Sequence, residues 1–282
     1  MRRLGVHTSI AGGRHMSLTR AHALGCATVQ IFTHNPRAWA TAPLAEREKE
    51  LFVALRGKLG LDPVFSHASY LINIASADEA LRRKSRRLLA TEMEIADELG
   101  IDYVVVHVGG ARDGEGRARA ARSIRSALRG RDGGAGLLLE NTAGRRGDAA
   151  SDIESLAAII EGSAGLVSGI CLDSCHAFAG GYDIRSARGL RSLSGEIERR
   201  IGLGMLKLIH LNDSRGEAGS HTDRHEHIGR GRIGEPALMR FVRHKPFSRT
   251  PIILETPKKS ESDDAMNLAV VRKMLSPRKS GT

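Results

Sequence analysis

Cysteine is scarce in this chain: Cys26, Cys171 and Cys175 are the only three among 282 residues. An odd count with no CxxC spacing excludes a disulfide framework and a zinc ribbon, and leaves small packing residues in a reducing compartment. Cys171 and Cys175 are expected on one strand, flanking Asp173. Long apolar runs are missing too, since none approaches the roughly 18 residues of a membrane span. The opening MRRLGVHTS lacks the apolar stretch of a secretory signal. A soluble, cytoplasmic protein with no membrane partner is therefore expected. Acidic residues are in deficit, 32 against 43 Lys and Arg, for a net charge of +11. That sign suits a polyanionic partner such as nucleic acid, although a generically solvated basic surface would produce it as well. The hydrophobic fraction of 41% is enough for a real core and excludes global disorder.

What the chain does have is a repeated unit. A helix, then Leu-Gly, then a short link and an apolar run recurs as HALGCATVQIFTH, GKLGLDPVFSH and DELGIDYVVVH. Gly25, Gly60 and Gly100 fall where a helix ends in a left-handed residue, a conformation glycine adopts without steric cost. Leu44, Leu51, Leu55 and Leu59 predict one apolar helix face, and Leu81, Leu88, Ile95 and Leu99 another. Arg82, Arg83, Lys84, Arg86 and Arg87 between them read as a solvated face. Strands are expected to start near Leu4, Thr28, Pro63, Tyr103, Gly136, Ser168, Leu206 and Pro251. All are continuous apolar runs, as parallel strands covered on both faces require. Strands alternating with helices imply an α/β fold, and eight such units fit a closed TIM (β/α)8 barrel, typically about 250 residues. One domain over residues 1–275 is expected, followed by a disordered basic tail at 276–282.

Six of the eight runs end in side chains that can bind a metal: His67, His107, Glu140, Asp173 with His176, His210 and Glu255. Asp223 and His225 follow in the loop HTDRH. His, Asp and Glu are the ligand types of zinc and related divalent ions. In such barrels catalytic groups lie at the C-terminal strand ends, which is where these residues fall. Each alone could be a hydrogen-bonded core histidine or a carboxylate paired with arginine. Nine together resist that reading, because so many buried, unpaired ionisable groups around one barrel mouth would be very costly. His7 is expected to hydrogen-bond inside the barrel, and His22 and His244 to lie on the surface. The quartet Glu140, Asp173, His210 and Glu255 would equally suit a sugar isomerase or epimerase with one or two metals. His67, His107, His176, Asp223 and His225 exceed what such an enzyme needs. A DNA-binding protein without catalysis would need none of the nine.

The stretches HASYLIN (67–73), LENTAG (139–144), CLDSCHAFAGGYD (171–183), HLNDS (210–214), DRHEHIGRGRIG (223–234) and ILET (253–256) resemble the endonuclease IV family of apurinic/apyrimidinic endonucleases. FTHNPRAW (32–39) and GVHTSIAGG (5–13) fit it as well, so the resemblance spans nearly the whole chain. It implies a TIM barrel with three divalent metal ions, usually zinc, while manganese and iron also accept such N/O ligands. It further implies that His67, His107 and Glu140 hold one ion. Glu140 would bridge to a second, bound also by Asp173, His210 and Glu255, and His176, Asp223 and His225 would hold the third. Glu140 and Glu255 would be catalytic as well as ligating. Arg37 and Tyr70 would sit in loops that enter the DNA. The implied activity is hydrolysis 5′ to an abasic site in duplex DNA, leaving a 3′-hydroxyl; a monomer, associated with the nucleoid through DNA, is expected. The chain departs from the family where Val108 replaces the proline of His-Pro-Gly, where Arg145 and Arg146 follow LENTAG, and at Arg230, a position often acidic. The arginines would add positive charge near the DNA face.

Overall fold

All eight expected strands form. In the computed structural model, which describes residues 2–276, they are β1 (Leu4–His7), β2 (Thr28–Phe32), β3 (Val64–His67), β4 (Tyr103–Val106), β5 (Gly136–Glu140), β6 (Gly169–Asp173), β7 (Leu206–His210) and, after a short antiparallel pair, β10 (Ile252–Leu254). Each pairs in parallel with its neighbours, and β10 returns to β1 to close the barrel. The pair that intervenes is β8 (Asp213–Ser214) with β9 (His225–Glu226). Helices α1 (Arg14–Ala23), α2 (Glu46–Leu59), α3 (Glu79–Glu98), α4 (Gly116–Ala127), α5 (Ile153–Gly162), α6 (Ser174–Ala179), α7 (Ala187–Arg200) and α8 (Glu235–Arg243) occupy the links between strands, and α9 (Asp263–Leu275) follows the last strand. Among the described residues no helix is long and apolar enough to cross a membrane. Of the expected tail only Ser276 is described, and residues 277–282 lie outside the described range.

Local sequence explains the punctuation. Gly25, Gly60 and Gly100 have φ of 66°, 63° and 64°, the left-handed turn that stops each helix and aims the chain at the next strand. Asp78 caps α3 by accepting from the Ala80 and Leu81 amides, and Asp152 caps α5 through Ser155. The α2 face differs from expectation, because the helix starts at Glu46, Leu51 is exposed and Phe52 is the buried residue.

Strand side chains alternate, so each strand feeds two layers. One set, including Val29, Val104, Leu139, Leu172 and Ile209, packs against the helices in the main core. The other set is a separate cluster of Phe65, Val105, Leu138, Cys171, Leu208 and Ile253, one from each of six strands, filling the barrel. Burying each such side chain contributes roughly 1.5–3 kcal/mol. On β1 the filling residue is Gly5, where a Cβ would lie 1.9 Å from the Thr28 carbonyl oxygen.

Candidate metal centre

Counting two residues onward from the interior cluster gives His67, His107, Glu140, Asp173, His210 and Glu255. Period-2 alternation thus returns six ionisable side chains to the barrel axis, one step above the apolar layer. The remaining candidates arrive differently. His176 lies in the first turn of α6, which Asp173 caps by accepting from the His176 amide at 2.7 Å. His225 opens β9, and Asp223 precedes it in the loop.

The nine candidates converge in three groups whose ligating atoms lie within 4.8 Å of one another: His67, His107 and Glu140; Glu140, Asp173, His210 and Glu255; His176, Asp223 and His225. Glu140 belongs to two of them. One of its carboxylate oxygens stands 3.2 Å from His67 Nε2 and 3.3 Å from His107 Nε2. The other stands 3.1 Å from His210 Nδ1, which is 3.3 Å from Glu255 Oε2. His176 Nε2 is 3.2 Å from Asp223 Oδ1. His225 Nε2 is 3.6 Å from both Asp173 Oδ2 and Asp223 Oδ1, and is buried without a hydrogen-bond partner. Bonds of about 2.0–2.1 Å to a tetrahedral ion put its ligands about 3.3 Å apart. The observed spacings match those edges, and the orphaned His225 nitrogen is the kind of atom an ion satisfies. The donor set therefore fits divalent metal.

Hydrogen bonds to the far ring atoms orient four of the five histidines. His67 Nδ1 lies 2.8 Å from the Ala68 carbonyl, His176 Nδ1 3.0 Å from that of Asn141, and His225 Nδ1 2.9 Å from that of Glu255. His210 is reversed, with Nε2 2.8 Å from Gln30 Oε1, so its Nδ1 faces the carboxylates. Each contact fixes which nitrogen keeps its proton and which is free to ligate. Gln30 also donates to Glu255 Oε1 at 2.5 Å, and Asn212 donates to Asp173 Oδ2 at 2.6 Å.

Electrostatics follow from this crowding. Burial pushes the Glu140 carboxyl up, but the imidazoles of His107, His210 and His176 overcome it and hold the group well below the usual range. Glu255 is likewise held low against burial, by His210 and His7. His176 and His210 are raised well above the ordinary imidazole value, because nearby acidic groups outweigh burial. Cys171 and Cys175 also approach these groups, yet burial pushes both thiols up to about 12, so they pack as neutral side chains.

A profile of xylose isomerase-like TIM barrels matches residues 18–274. Probable endonuclease 4 of Methanoculleus marisnigri is 42% identical over 96% of this chain and 98% of its own length. The corresponding protein of Aquifex aeolicus is 37% identical over 96% of each chain. The crystal structure of endonuclease IV from Thermus thermophilus superposes with a TM-score of 0.88 at 39% identity, covering 97% of this chain and 98% of that one. The chain belongs to the endonuclease IV family. It is accordingly an enzyme of the nuclease type. A D-tagatose 3-epimerase-like protein shares the barrel at a TM-score of 0.73, with 20% identity over 97% of each chain, a likeness of fold alone.

In this member of the endonuclease IV family the mouth opens into a cleft of ≈ 480 Å³ bordered by His7, Phe32, Tyr70 and Lys258 as well as the clustered histidines. Arg37 and Tyr70, singled out from the sequence, are both exposed on loops, and Tyr70 lines this cleft. Phe32 packs edge-on against Tyr70 with ring centres 5.3 Å apart. A neighbouring groove of ≈ 500 Å³ runs past His107, His176 and Asp223 and is lined by Arg112, Arg145 and Arg146. Arg230 turns instead toward Met266 on α9.

His7 does hydrogen-bond inside the barrel, contacting Gln30 and Glu255, and His22 is exposed. His244 lies at the surface in part, bonded to Ser194 Oγ at 2.9 Å and packed edge-on against Phe247. Cys175 lies in α6, not on the strand with Cys171. Sequence reasoning passed over Gln30, Asn141, Asn212 and Asp213, all buried at the site. The two-residue period would have found Gln30, two beyond Thr28 on β2. Asn212 and Asp213 stood in plain view inside HLNDS.

Proposed function

We propose that this chain is a DNA-repair endonuclease that hydrolyses the phosphodiester 5′ to an abasic site in duplex DNA and leaves a 3′-hydroxyl. His67, His107 and Glu140 would hold one ion; Glu140, Asp173, His210 and Glu255 a second; His176, Asp223 and His225 a third. Zinc suits the donors best, and manganese or iron would also be accepted. Ions held there supply Lewis-acid charge that lowers the pKa of water from about 15.7 toward neutrality and offsets charge gathering on phosphate oxygens.

The chain's own groups do the rest. Glu140 and Glu255 stand on either side of His210 Nδ1. Glu255 would accept a hydrogen bond from the attacking water and aim its lone pair at phosphorus. The new bond is P–O from water, and the broken bond is P–O3′. The departing 3′-oxygen gains a proton and leaves as the hydroxyl. A missing base makes the nucleotide easy to extrude, and Arg37 and Tyr70 would occupy the space it leaves in the stack. Residues 1–275 would act as one catalytic unit, as a monomer, in the cytoplasm on nucleoid DNA.

The observation that carries this reading is the third group. A sugar epimerase on the same barrel would use Glu140, Asp173, His210 and Glu255 and leave His176, Asp223 and His225 without a task. The test is cleavage of an end-labelled duplex bearing one tetrahydrofuran abasic analogue, which cannot undergo β-elimination, alongside Glu140→Ala and a metal count. A 3′-hydroxyl product lost in the variant is expected. No cleavage by fully metallated protein, with one or two ions per chain, would sink the endonuclease in favour of an epimerase.

A further inference from the structure

The loops that carry Arg37 and Tyr70 come from different strands, yet both are tied to one buried carboxylate behind them. Glu92, in the middle of α3, is 1% exposed. Its Oε1 lies 2.7 Å from His34 Nε2 and accepts from the Ser69 amide at 3.0 Å. His34 stands three residues before Arg37, and Ser69 immediately precedes Tyr70. A second set of contacts closes the link above the carboxylate. Ser69 Oγ donates to the Pro36 carbonyl at 2.7 Å, and the Tyr70 amide donates to the same oxygen at 3.2 Å. Burying a carboxylate costs several kcal/mol unless its bonds are made. Nothing in packing α3 against the barrel requires an acid at this position, where an apolar side chain would serve. Glu92 Oε2 and His34 Nδ1 are even left buried without partners. The arrangement therefore maintains the link between the loops at a cost to the core.

We propose that Glu92 and His34 are positioning residues that join the Arg37 and Tyr70 loops into one preorganised unit for engaging DNA. This rests on the endonuclease reading above. Neither residue touches the metal cluster, so their loss should spare ion binding and the bond-breaking step. What should suffer is the binding energy otherwise lost to ordering two loops separately.

The test uses the metal-loaded full chain with Glu92→Met, which keeps the volume and removes both bonds, and Glu92→Gln, whose carbonyl oxygen can still accept both but without the charge. For abasic duplex, Glu92→Met should raise KM about tenfold while kcat stays within about twofold, and Glu92→Gln should recover part of the loss. Metal content should not change. Arg37→Ala and Tyr70→Ala should combine non-additively in the parent and additively in the Glu92→Met background. Amide exchange supplies a readout independent of activity: 33–38 and 68–72 should speed up together while β4 to β7 remain protected. Exchange rising uniformly through the barrel, or no change in either loop, would overturn the proposal. A parent protein that fails to cleave abasic duplex would overturn the endonuclease reading instead, and exchange would still decide whether Glu92 couples the loops.

Discussion

His210 Nε2 lies 2.8 Å from Gln30 Oε1, and this contact turns the opposite nitrogen, Nδ1, toward Glu140 and Glu255. Gln30 at the same time donates to Glu255 Oε1, so one amide orients two proposed ligands of one ion. Replacing Gln30 by Leu keeps the volume and removes both contacts. Metal affinity should fall about 10–100-fold with all nine proposed ligands intact. Titration against a competing chelator measures this, and an unchanged affinity would mean that Gln30 merely fills space.

Asp213 is fully buried and its carboxylate accepts from the amides of Ser214, Gly229, Gly231, Ile233 and Gly234. It therefore shapes the GRGRIG segment that follows β9. Asp213→Ala would leave these donors unmet and should destabilise the protein by about 2–4 kcal/mol. Chemical denaturation checks the size. Activity in the surviving folded fraction should drop too, because β9 carries His225 and Asp213 itself pairs with Glu226 of β9.

Stability should depend on pH in opposite ways with and without metal. In the ion-free protein, His176 and His210 lie well above their ordinary 6.5, since acidic neighbours outweigh burial. A raised folded-state pKa stabilises fully below the ordinary value, and the contribution is lost as pH climbs through the raised one. Glu140 and Glu255 lie well below their ordinary 4.5, so their contribution is present above 4.5 and is lost as pH falls through the lowered value. His7 and His107 are lowered by burial, so their contribution is lost as pH falls below 6.5. Ion-free protein should thus melt highest near 6.5 and at lower temperature as the solution becomes alkaline. Metal-loaded protein should gain over the same rise, because ions displace the protons. Calorimetry of both forms across pH gives the comparison; parallel curves would contradict it.

Arg145 and Arg146 line the groove beside His107 and His176, and among the described residues neither guanidinium makes a hydrogen bond or an ion pair. If they meet phosphates, Arg145→Ser with Arg146→Ser should weaken intact and abasic duplex alike. The slope of log affinity against log salt should fall by about 0.9 for each phosphate no longer neutralised. Fluorescence anisotropy at several salt concentrations reads this directly, and a selective loss for the abasic duplex would assign the pair a role in lesion recognition.

Much of the barrel is legible in the chain because its strands are short, buried on both faces and separated by Leu-Gly helix ends. The starts expected near Leu4, Thr28, Tyr103, Gly136 and Leu206 coincide with those observed, and those near Pro63, Ser168 and Pro251 fall one residue early. Helix faces are less legible, as exposed Leu51 and buried Phe52 show. A 3.6-residue period leaves flanking positions ambiguous when a helix packs at an angle. Nor does residue type announce that His244, polar and next to Lys245, packs one ring edge against Phe247.

The sequence by itself determined the eight-strand order, the positions of strand ends and the identity of the clustered histidines and carboxylates. Such features follow from local periodicity and residue type, which no distant contact alters. Only the tertiary structure decided that one Glu140 oxygen faces His67 and His107 while the other faces His210, that His210 faces the cluster through Nδ1 where His67 uses Nε2, and that Glu92 bonds both His34 and Ser69. Each of these depends on distances between residues 23 to 180 positions apart in the chain. Closing the barrel sets those distances, because strand tilt and register fix how far each inward-pointing side chain lies from the next.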